Sequence, residues 1–389
     1  MLLIAAVVAI ATRRLNLPYS VGLAAVGILL GILPYSPRIS LTRDLLFTVL
    51  LPPLIFEAAF YINWKLLRRD LGVIVALATF GVALSAGVTT VGMHYLAGWQ
   101  WLSAAVFGVL IAATDPVAVI ATFNEAGVGG RLRLLLESES LFNDGTAAVA
   151  FGVALEFLTG ETPGPLQSIF QFVITAGGGL LCGFIVAGAA LALAGRTQDH
   201  LVEITLTTVA AWGSFLLAEH FGASGVLASM AAGLIVGNVG SMGIMTSRGK
   251  EAAHAFWEFA AFVANSLVFL LMGMQVAHEN FVAVWLTAVI AIALVLLGRA
   301  AAVYPVCGLF HWSAVRVPWR EQHILFWGGL RGALALALSL ALPAEMPQRD
   351  TIITLSFAVV TFSIFVQGVS IIPLARGASN HPVAAQVAK

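Results

Sequence analysis

Charged residues are scarce in this chain of 389 residues: they make up 10% of the sequence, whereas 60% is hydrophobic. A soluble domain carries about 25% charged residues, so this chain has too few to cover a core of its size. Lys plus Arg balances Asp plus Glu at 19 each, which leaves no net field to attract polyanions. These shortages exclude a cytosolic enzyme, a nucleic-acid-binding protein and a disordered chain.

Cysteine is scarce as well. Cys182 and Cys307 lie far apart in apolar runs, so we expect small core residues, with no disulfide framework and no metal-binding spacing. The ATP-binding pattern GxxxxGK[ST] is missing, which leaves an ion gradient as the driving force for any transport. The remaining class is an all-α polytopic membrane protein.

Hydrophobic runs predict thirteen membrane helices, since a spanning helix needs about 20 mostly apolar residues. The first run is short, because its residues rise only about 16 Å against a hydrocarbon core of about 30 Å. Its charges follow the apolar stretch, unlike those of a cleaved signal peptide. The predicted helices cover residues 2–12, 19–34, 45–62, 71–96, 100–123, 133–158, 167–194, 200–218, 222–239, 255–276, 281–306, 323–342 and 351–374.

The positive charges predict an orientation. If the first helix ends in the cytoplasm, fourteen of the nineteen Lys and Arg residues lie on the cytoplasmic side, and only Arg38, Arg43 and Arg349 on the other. This bias follows the positive-inside rule. It predicts an odd number of helices, an outside N-terminus, a cytoplasmic C-terminus and a short cytoplasmic tail at 375–389.

Several charged side chains lie inside predicted spans, where each costs about 2.5 to 3.5 kcal/mol at the bilayer centre. Such residues need a partner or a function, and Glu57 in the third helix is one of them. Four others are closer to span ends, where an interfacial charge is the simpler interpretation: Glu137, Glu156, Glu203 and Glu258.

Asp115 lies deep in the fifth predicted helix and directly before Pro116. Proline disfavours the helical conformation of the preceding residue, so we expect a break that frees carbonyls near Ala112 and Ala113. Irregular backbone at mid-membrane is tolerated only where it is buried or lines a cavity. A carboxylate beside free carbonyls would form a cation site of hard oxygen ligands. A proline kink with a satisfied aspartate is the alternative.

The sixth predicted helix carries the segment ESLFNDGTAAVAF at 139–151. Helical spacing puts Ser140, Asn143 and Asp144 on one side, with Glu139 at the flank of that cluster. Four polar side chains within six residues of an apolar span favour an ion site over a polar contact between helices.

Two arginines complete the set of buried charges. Arg299 lies in the eleventh predicted helix, and Arg331 follows Gly328-Gly329, a pair that weakens the twelfth helix. Buried arginines need anionic or carbonyl partners, and Glu139 is the expected partner of Arg299. Snorkelling to the cytoplasmic interface is the alternative for both arginines. Helices 4–6 and 11–13 thus form two triplets with a disrupted middle member, which suggests inverted repeats whose broken helices cross.

Five motifs occur in this order along the chain: LPPLIFEAAF (51–60), ATDPVAV (113–119), ESLFNDGTAAVAF (139–151), LGRAAAVY (297–304) and WGGLRGALALA (327–337). Together they resemble the cation/proton antiporter family. The closer resemblance is to its electroneutral sodium/proton exchanger branch, which includes prokaryotic antiporters and animal exchangers. The similarity covers nearly the whole chain, from about residue 13 to 375.

The resemblance implies a homodimer of thirteen-helix chains in the bilayer of a prokaryotic plasma membrane. It implies a dimerisation domain at 1–62 and 167–239, and an ion-transporting core at 71–158 and 281–374. Residues 255–276 would form a linker helix between them. The transported substrates would be protons and sodium or lithium, and no cofactor is implied.

The resemblance also implies roles for individual residues. Sodium would bind Asp144 and Asp115, helped by Ser140 and the backbone carbonyl of Thr114, while Asn143 would hold the core together. An asparagine directly before Asp144, where the electrogenic branch carries a second aspartate, suggests one proton per sodium.

Three further side chains have supporting roles in that family. Glu139 would pair with Arg299, and Arg331 would brace the disrupted twelfth helix.

Elementary electrostatics supports antiport independently. Burial disfavours a charged carboxylate and a bound cation favours it, so protons and sodium compete for Asp144. If only the loaded forms cross, exchange is enforced as one bundle moves against the other around a fixed site.

Other functions remain open at this point. Potassium would suit the same oxygen ligands, and another coupling ratio would fit the same fold, whereas a channel is disfavoured because paired carboxylates would bind ions too tightly. GASG (222–225) fits the nucleophile pattern of an intramembrane serine protease, with His220 and His254 nearby in sequence, although Ser224 is also placed to cap a helix. A scaffold role would leave Asp115 and Asp144 unexplained.

Overall fold

The computed structural model describes residues 1–15, 17–33, 41–115, 123, 129–159 and 164–379. This part of the chain is helical and contains no strand. Seven of its helices are long and apolar enough to cross a membrane, and the others are shorter, broken or more polar. Pro116 and residues 380–389 of the predicted tail lie outside the described residues.

The described residues contain thirteen helical segments in the predicted order, and the predicted all-helical membrane fold is confirmed. One segment, α12, consists of two halves. The bounds are α1 Leu2–Leu15, α2 Tyr19–Ile32, α3 Leu45–Phe60, α4 Trp64–Ala97, α5 Trp101–Leu110, α6 Arg131–Glu156, α7 Pro165–Ala194, α8 His200–His220, α9 Gly225–Met242, α10 Ser247–Val276, α11 Phe281–Leu309, α12a Trp319–Trp327, α12b Ala333–Leu340 and α13 Arg349–Ser379.

The helices pack as two groups. In one group α2 runs along α10, and α9 lies between α3 and α7. In the other, α4 packs against α5 and α11, and α11 against α13. Small residues allow the closest approach: a Cβ atom on Gly27 would lie 2.9 Å from the Cα of Gly273. Close contact between small residues is a main source of helix association in a bilayer, where no hydrophobic effect drives helices together.

The first and fourth helices are longer than predicted. α1 extends to Leu15, so Arg13 and Arg14 lie in its last turn, where cations interact favourably with the helix dipole. α4 begins at Trp64 rather than at 71, because Asn63 accepts a hydrogen bond from the backbone N–H of Lys65 and caps the helix. The first turns of α4 carry charged residues and are therefore not part of an apolar run, so hydropathy alone does not predict them.

Both predicted disruptions exist, although their bounds differ from the prediction. α5 ends at Leu110, several residues before Asp115, and Ala113, Thr114 and Asp115 have no regular structure. In the twelfth helix the break covers 328–332, longer than the glycine pair alone. The break in the twelfth helix therefore spans about one helical turn, and both irregular segments leave backbone N–H and C=O groups without partners in their own helix.

Glu203 lies in the first turn of α8, near a helix end as predicted, but it is not exposed there. It is 0% exposed and accepts hydrogen bonds from the N–H and the hydroxyl of Thr246, both at 3.0 Å. Its carboxylate thus lies at the N-terminus of α10, where a negative charge complements the helix dipole. The cysteines are free, with Cys307 buried and Cys182 partly buried.

Candidate functional site

The two broken helices meet and are joined by hydrogen bonds in both directions. The N–H of Asp115 donates to the carbonyl of Leu330 at 2.7 Å. In the other direction, Nη1 of Arg331 donates to the carbonyls of Ala112 and Ala113, at 2.8 and 3.1 Å. Groups freed by one break are therefore satisfied by the other, as a low-dielectric environment requires.

This arrangement corrects the expectation of free carbonyls near Ala112 and Ala113. Both accept the guanidinium of Arg331, so they are occupied by a protein cation and are not vacant ligands. Arg331 itself is buried rather than snorkelled to an interface. Its partners could not be read from the sequence, because carbonyls carry no sequence signature.

Glycine is required at two positions of the second break. A Cβ atom on Gly332 would collide with the carboxylate of Asp115, and one on Gly329 would collide with Nε of Arg299. The backbone of this break thus lies directly against one carboxylate and one guanidinium of the site. Only a residue without a side chain permits such contact.

Asn143 joins the first break to α6. Its side-chain oxygen accepts the N–H of Thr114 at 3.1 Å, and its amide donates to the Thr114 hydroxyl at 2.6 Å. The same amide donates to Oε1 of Glu139 at 2.9 Å, and the hydroxyl of Ser140 lies 2.9 Å from that of Thr114. Both polar ends of Asn143 are therefore used in holding the irregular segment on α6.

Glu139 and Arg299 form a buried ion pair. Nη1 of Arg299 lies 2.7 Å from Oε1 of Glu139, and Nη2 lies 2.9 Å from Oε2. Nη2 also donates to the carbonyl of Leu325 in α12a at 2.8 Å. The pair joins α6, α11 and α12a, and its two-pronged geometry compensates for the burial of both charges.

Asp144 lies one turn beyond Ser140 on α6. Its Oδ1 atom is buried and accepts no hydrogen bond from any residue in the described part of the chain. An acceptor in this situation is costly unless it binds a cation, a proton or water. Asp144 and Asp115 both line a cavity of about 600 Å³, together with Thr114 and Gly332.

The same cavity extends between the two groups of helices. Its far walls come from α2, α3 and α10, whereas the site walls come from α6, α12b and the first break. Tyr61 directly follows α3 and Arg133 lies in the first turn of α6, at the arginine-rich surface, whereas Glu258 lines the cavity from within α10. The cavity therefore reaches from that surface to Asp144 and Asp115.

Sequence reasoning gave no role to Glu57, and the structure places it in this cavity. Glu137 also lines the cavity, where it forms an ion pair with Arg133 at 2.6 Å. The signal for Glu57 was available, since it is a carboxylate within an apolar run. What the sequence lacked was the packing of α3 opposite α6.

The alternative nucleophile is occupied. The hydroxyl of Ser224 accepts the N–H of Leu227 at 3.3 Å and so caps α9. His254 packs its ring against Phe60 and Tyr61 at centroid distances of 5.0 and 5.2 Å. Ser224 therefore has an ordinary structural role as a helix cap, which argues against the protease interpretation.

Two broken helices that cross beside a carboxylate, within a helical membrane fold, define a secondary transporter. The sequence matches the transmembrane sodium/hydrogen exchanger family over residues 2–377. The chain belongs to this family, which confirms the predicted resemblance and makes the protein a transporter rather than an enzyme.

Individual relatives agree with this assignment. The chain is 38% identical over 357 residues to the Na(+)/H(+) antiporter ApNhaP of Aphanothece halophytica. The aligned region covers 91% of this chain and 68% of that protein. It is 32% identical over 383 residues to the Na(+)/H(+) antiporter NhaH of Halobacillus aidingensis, covering 95% and 94%. The sodium proton antiporter MjNhaP1 from Methanocaldococcus jannaschii shares the fold, with a TM-score of 0.76 at 19% identity and coverage of 96% and 95%.

The ion pair gives a stability prediction. Removing either partner leaves a buried charge uncompensated, so Glu139→Gln and Arg299→Gln should each cost about 3 to 5 kcal/mol. The double variant should lose less than the sum, because both charges are then gone. Thermal unfolding of the purified proteins in detergent measures all three losses.

The exposed pair Arg349 and Asp350 provides the control. Its atoms are 3.4 Å apart and the Asp350 side chain is 97% exposed, so the same cycle there should show a coupling of about 0 to 1 kcal/mol. Strictly additive losses at Glu139 and Arg299 would show that the buried pair is not energetically coupled.

Proposed function

We propose that this protein exchanges sodium for protons across the membrane, with both ions competing for Asp144. The observation that carries this proposal is the carboxylate of Asp144: the residue lines a cavity, and its buried Oδ1 atom receives no donor from the described residues. Asp115, the hydroxyl of Ser140 and the backbone carbonyl of Thr114 complete a set of oxygen ligands, which suits a hard monovalent cation. The antiporters among its relatives support the choice of ions.

The charges at the crossing favour electroneutral exchange. Arg299 and Arg331 supply two positive charges among the described groups, and Glu139, Asp115 and Asp144 supply three carboxylates. One negative charge is then in excess. A single sodium ion or a single proton neutralises it, whereas the empty site stays charged and cannot cross the low-dielectric barrier between the two groups of helices.

Asn143 supports the same ratio. Its amide is held by Thr114 and Glu139, so it contributes structure and no titrating charge. One carboxylate on α6 therefore exchanges one proton for one sodium ion. Lithium, a smaller hard cation, is included as a substrate, whereas potassium is the main alternative, because the same ligands would suit it in a wider cavity.

Transport would proceed by alternating access. The cavity reaches the site from the arginine-rich surface, which the positive-inside rule assigns to the cytoplasm of a prokaryotic plasma membrane. In this assignment the structure is open to the inside, with the N-terminus outside. Residues 71–158 and 281–374 would move as the core against a dimerisation domain of 1–62 and 167–239, joined by the linker 255–276.

A homodimer fits the surface of the proposed dimerisation domain. Helix α7 buries only 11% of its most apolar stretch within the chain. Its exposed side chains, among them Phe170 and Phe184, offer an apolar face to lipid or to a second copy.

Replacement of the carboxylate tests the site directly. Asp144→Asn should reduce sodium-driven proton flux in proteoliposomes to the level of empty vesicles, because asparagine neither carries the charge nor exchanges the proton. The melting temperature should not fall, since the change removes a buried charge that no described residue pairs. Asp350→Asn, at an exposed aspartate, should transport like the unmodified protein; substantial flux through Asp144→Asn would refute the assignment.

Competition predicts a pH-dependent KM. Lowering the pH protonates Asp144, so the apparent KM for sodium should rise, approaching about tenfold per pH unit once most sites are protonated. At high pH the sodium affinity should level off and turnover should fall, because few protonated carriers return. Initial rates across several pH units measure both effects. A KM that stays constant through the acidic range would separate the proton site from Asp144.

Electroneutral coupling predicts insensitivity to voltage. With potassium and valinomycin setting the membrane potential, the sodium-driven proton flux should be equal at inside-negative, zero and inside-positive potentials. A rate that changes systematically with potential would mean that net charge crosses in each cycle.

A further inference from the structure

Helix α13 changes its winding beside the broken twelfth helix. Residues Ser363–Gln367 form a π-helical turn within an otherwise α-helical segment. Such turns shift the side chains around the helix axis and frequently occur at functional sites. Here the turn begins and ends with a polar residue, and both are buried: Ser363 is 0% exposed and Gln367 is 4% exposed.

These two side chains bind the two edges of the break. The N–H of Arg331 donates to the hydroxyl of Ser363 at 2.9 Å. The amide of Gln367 donates to the carbonyl of Trp327, the last residue of α12a, at 3.3 Å. The two side chains are also linked, since the Ser363 hydroxyl donates to Oε1 of Gln367 at 2.7 Å. Backbone groups that helix α12 leaves unpaired are thus held by one turn of α13.

The contacts continue from this turn to the ion site. Arg331 is fixed at its N–H by Ser363, and its guanidinium fixes the carbonyls of Ala112 and Ala113. The neighbouring carbonyl of Leu330 accepts the N–H of Asp115. Moving the backbone at 330–331 would therefore move the segment that carries Thr114 and Asp115.

We propose that Ser363 and Gln367 are positioning residues for cation binding, which set the place of Thr114 and Asp115 through the backbone of Leu330 and Arg331. This inference rests on the proposed function, and it assigns to α13 a role that its sequence alone did not indicate. Both residues act through others and have no contact with the ion.

The chain provides a matched control on the same helix. Ser356 is also 0% exposed, but its hydroxyl donates only to the carbonyl of Ile352 in its own helix, at 2.8 Å. Ser356→Ala and Ser363→Ala therefore remove the same atom from buried positions of α13, and only the second removes a contact with the break. Gln367→Met preserves the length of the side chain while removing both of its hydrogen bonds.

Two readouts at one fixed pH test the proposal. Sodium-driven proton flux in proteoliposomes gives KM and maximal rate, and the sodium dependence of the melting temperature in detergent reports binding without transport. Ser363→Ala and Gln367→Met should raise KM about three- to tenfold, as expected for losing about one buried hydrogen bond, and shift the sodium-induced stabilisation to correspondingly higher concentrations. Ser356→Ala should leave both unchanged, even where its sodium-free melting temperature falls.

The outcomes separate this inference from the proposed function. If the unmodified protein and Ser356→Ala respond to sodium while Ser363→Ala and Gln367→Met keep the same KM and stabilisation curve, the positioning role is wrong and the antiporter proposal stands. If one α13 variant does not fold, the other decides. If the unmodified protein shows neither flux nor stabilisation with sodium, the proposed function fails and the inference fails with it.

Discussion

A backbone group inside a membrane cannot be left without a hydrogen bond, and the crossing of the two broken helices is arranged around that constraint. Asp115 gives its N–H to Leu330, Arg331 gives its guanidinium to Ala112 and Ala113, and Ser363 accepts the N–H of Arg331. Each break is stabilised in part by the other, which lies against it. Interrupting a single helix would expose polar backbone to lipid, so the two interruptions depend on one another.

The charges follow from the same geometry. A cation at the proposed Asp144 site would be repelled by Arg299 and Arg331 unless the charges of these arginines were compensated. Glu139 compensates Arg299 through two hydrogen bonds, and Arg331 is directed to carbonyl oxygens. The carboxylate of Asp144, whose Oδ1 atom accepts no hydrogen bond from a described residue, can then attract a cation. Asn143 adds rigidity at no cost in charge, because both of its polar ends are engaged.

Much of the fold could be predicted from the sequence, since hydropathy alone determines where thirteen helices lie and Asp115-Pro116 and Gly328-Gly329 mark the breaks. The cluster on α6 could be predicted because side chains four residues apart share a helix face. The sequence did not reveal contacts made by backbone carbonyls, which took Ala112 and Ala113 out of the expected ligand set. Long-range packing is not visible in the sequence either, since Glu57 lies opposite α6 and Glu203 caps a helix 43 residues away. The polar residues of the α13 turn, Ser363 and Gln367, have the same four-residue spacing as the α6 cluster, so the sequence did contain a signal for them.

Helix α4 has 34 residues and is therefore about 51 Å long, well beyond the hydrocarbon core of about 30 Å. Its charged first turns project past the membrane, where the buried carboxylate of Asp70 accepts two hydrogen bonds from Arg131 at the start of α6. Arg131 also donates to the carbonyls of Val315 and Arg316 before α12a. These contacts connect the start of α4, the start of α6 and the segment before α12a. A displacement of the buried site would also move these connected segments. Their position would then report which side of the membrane the site faces.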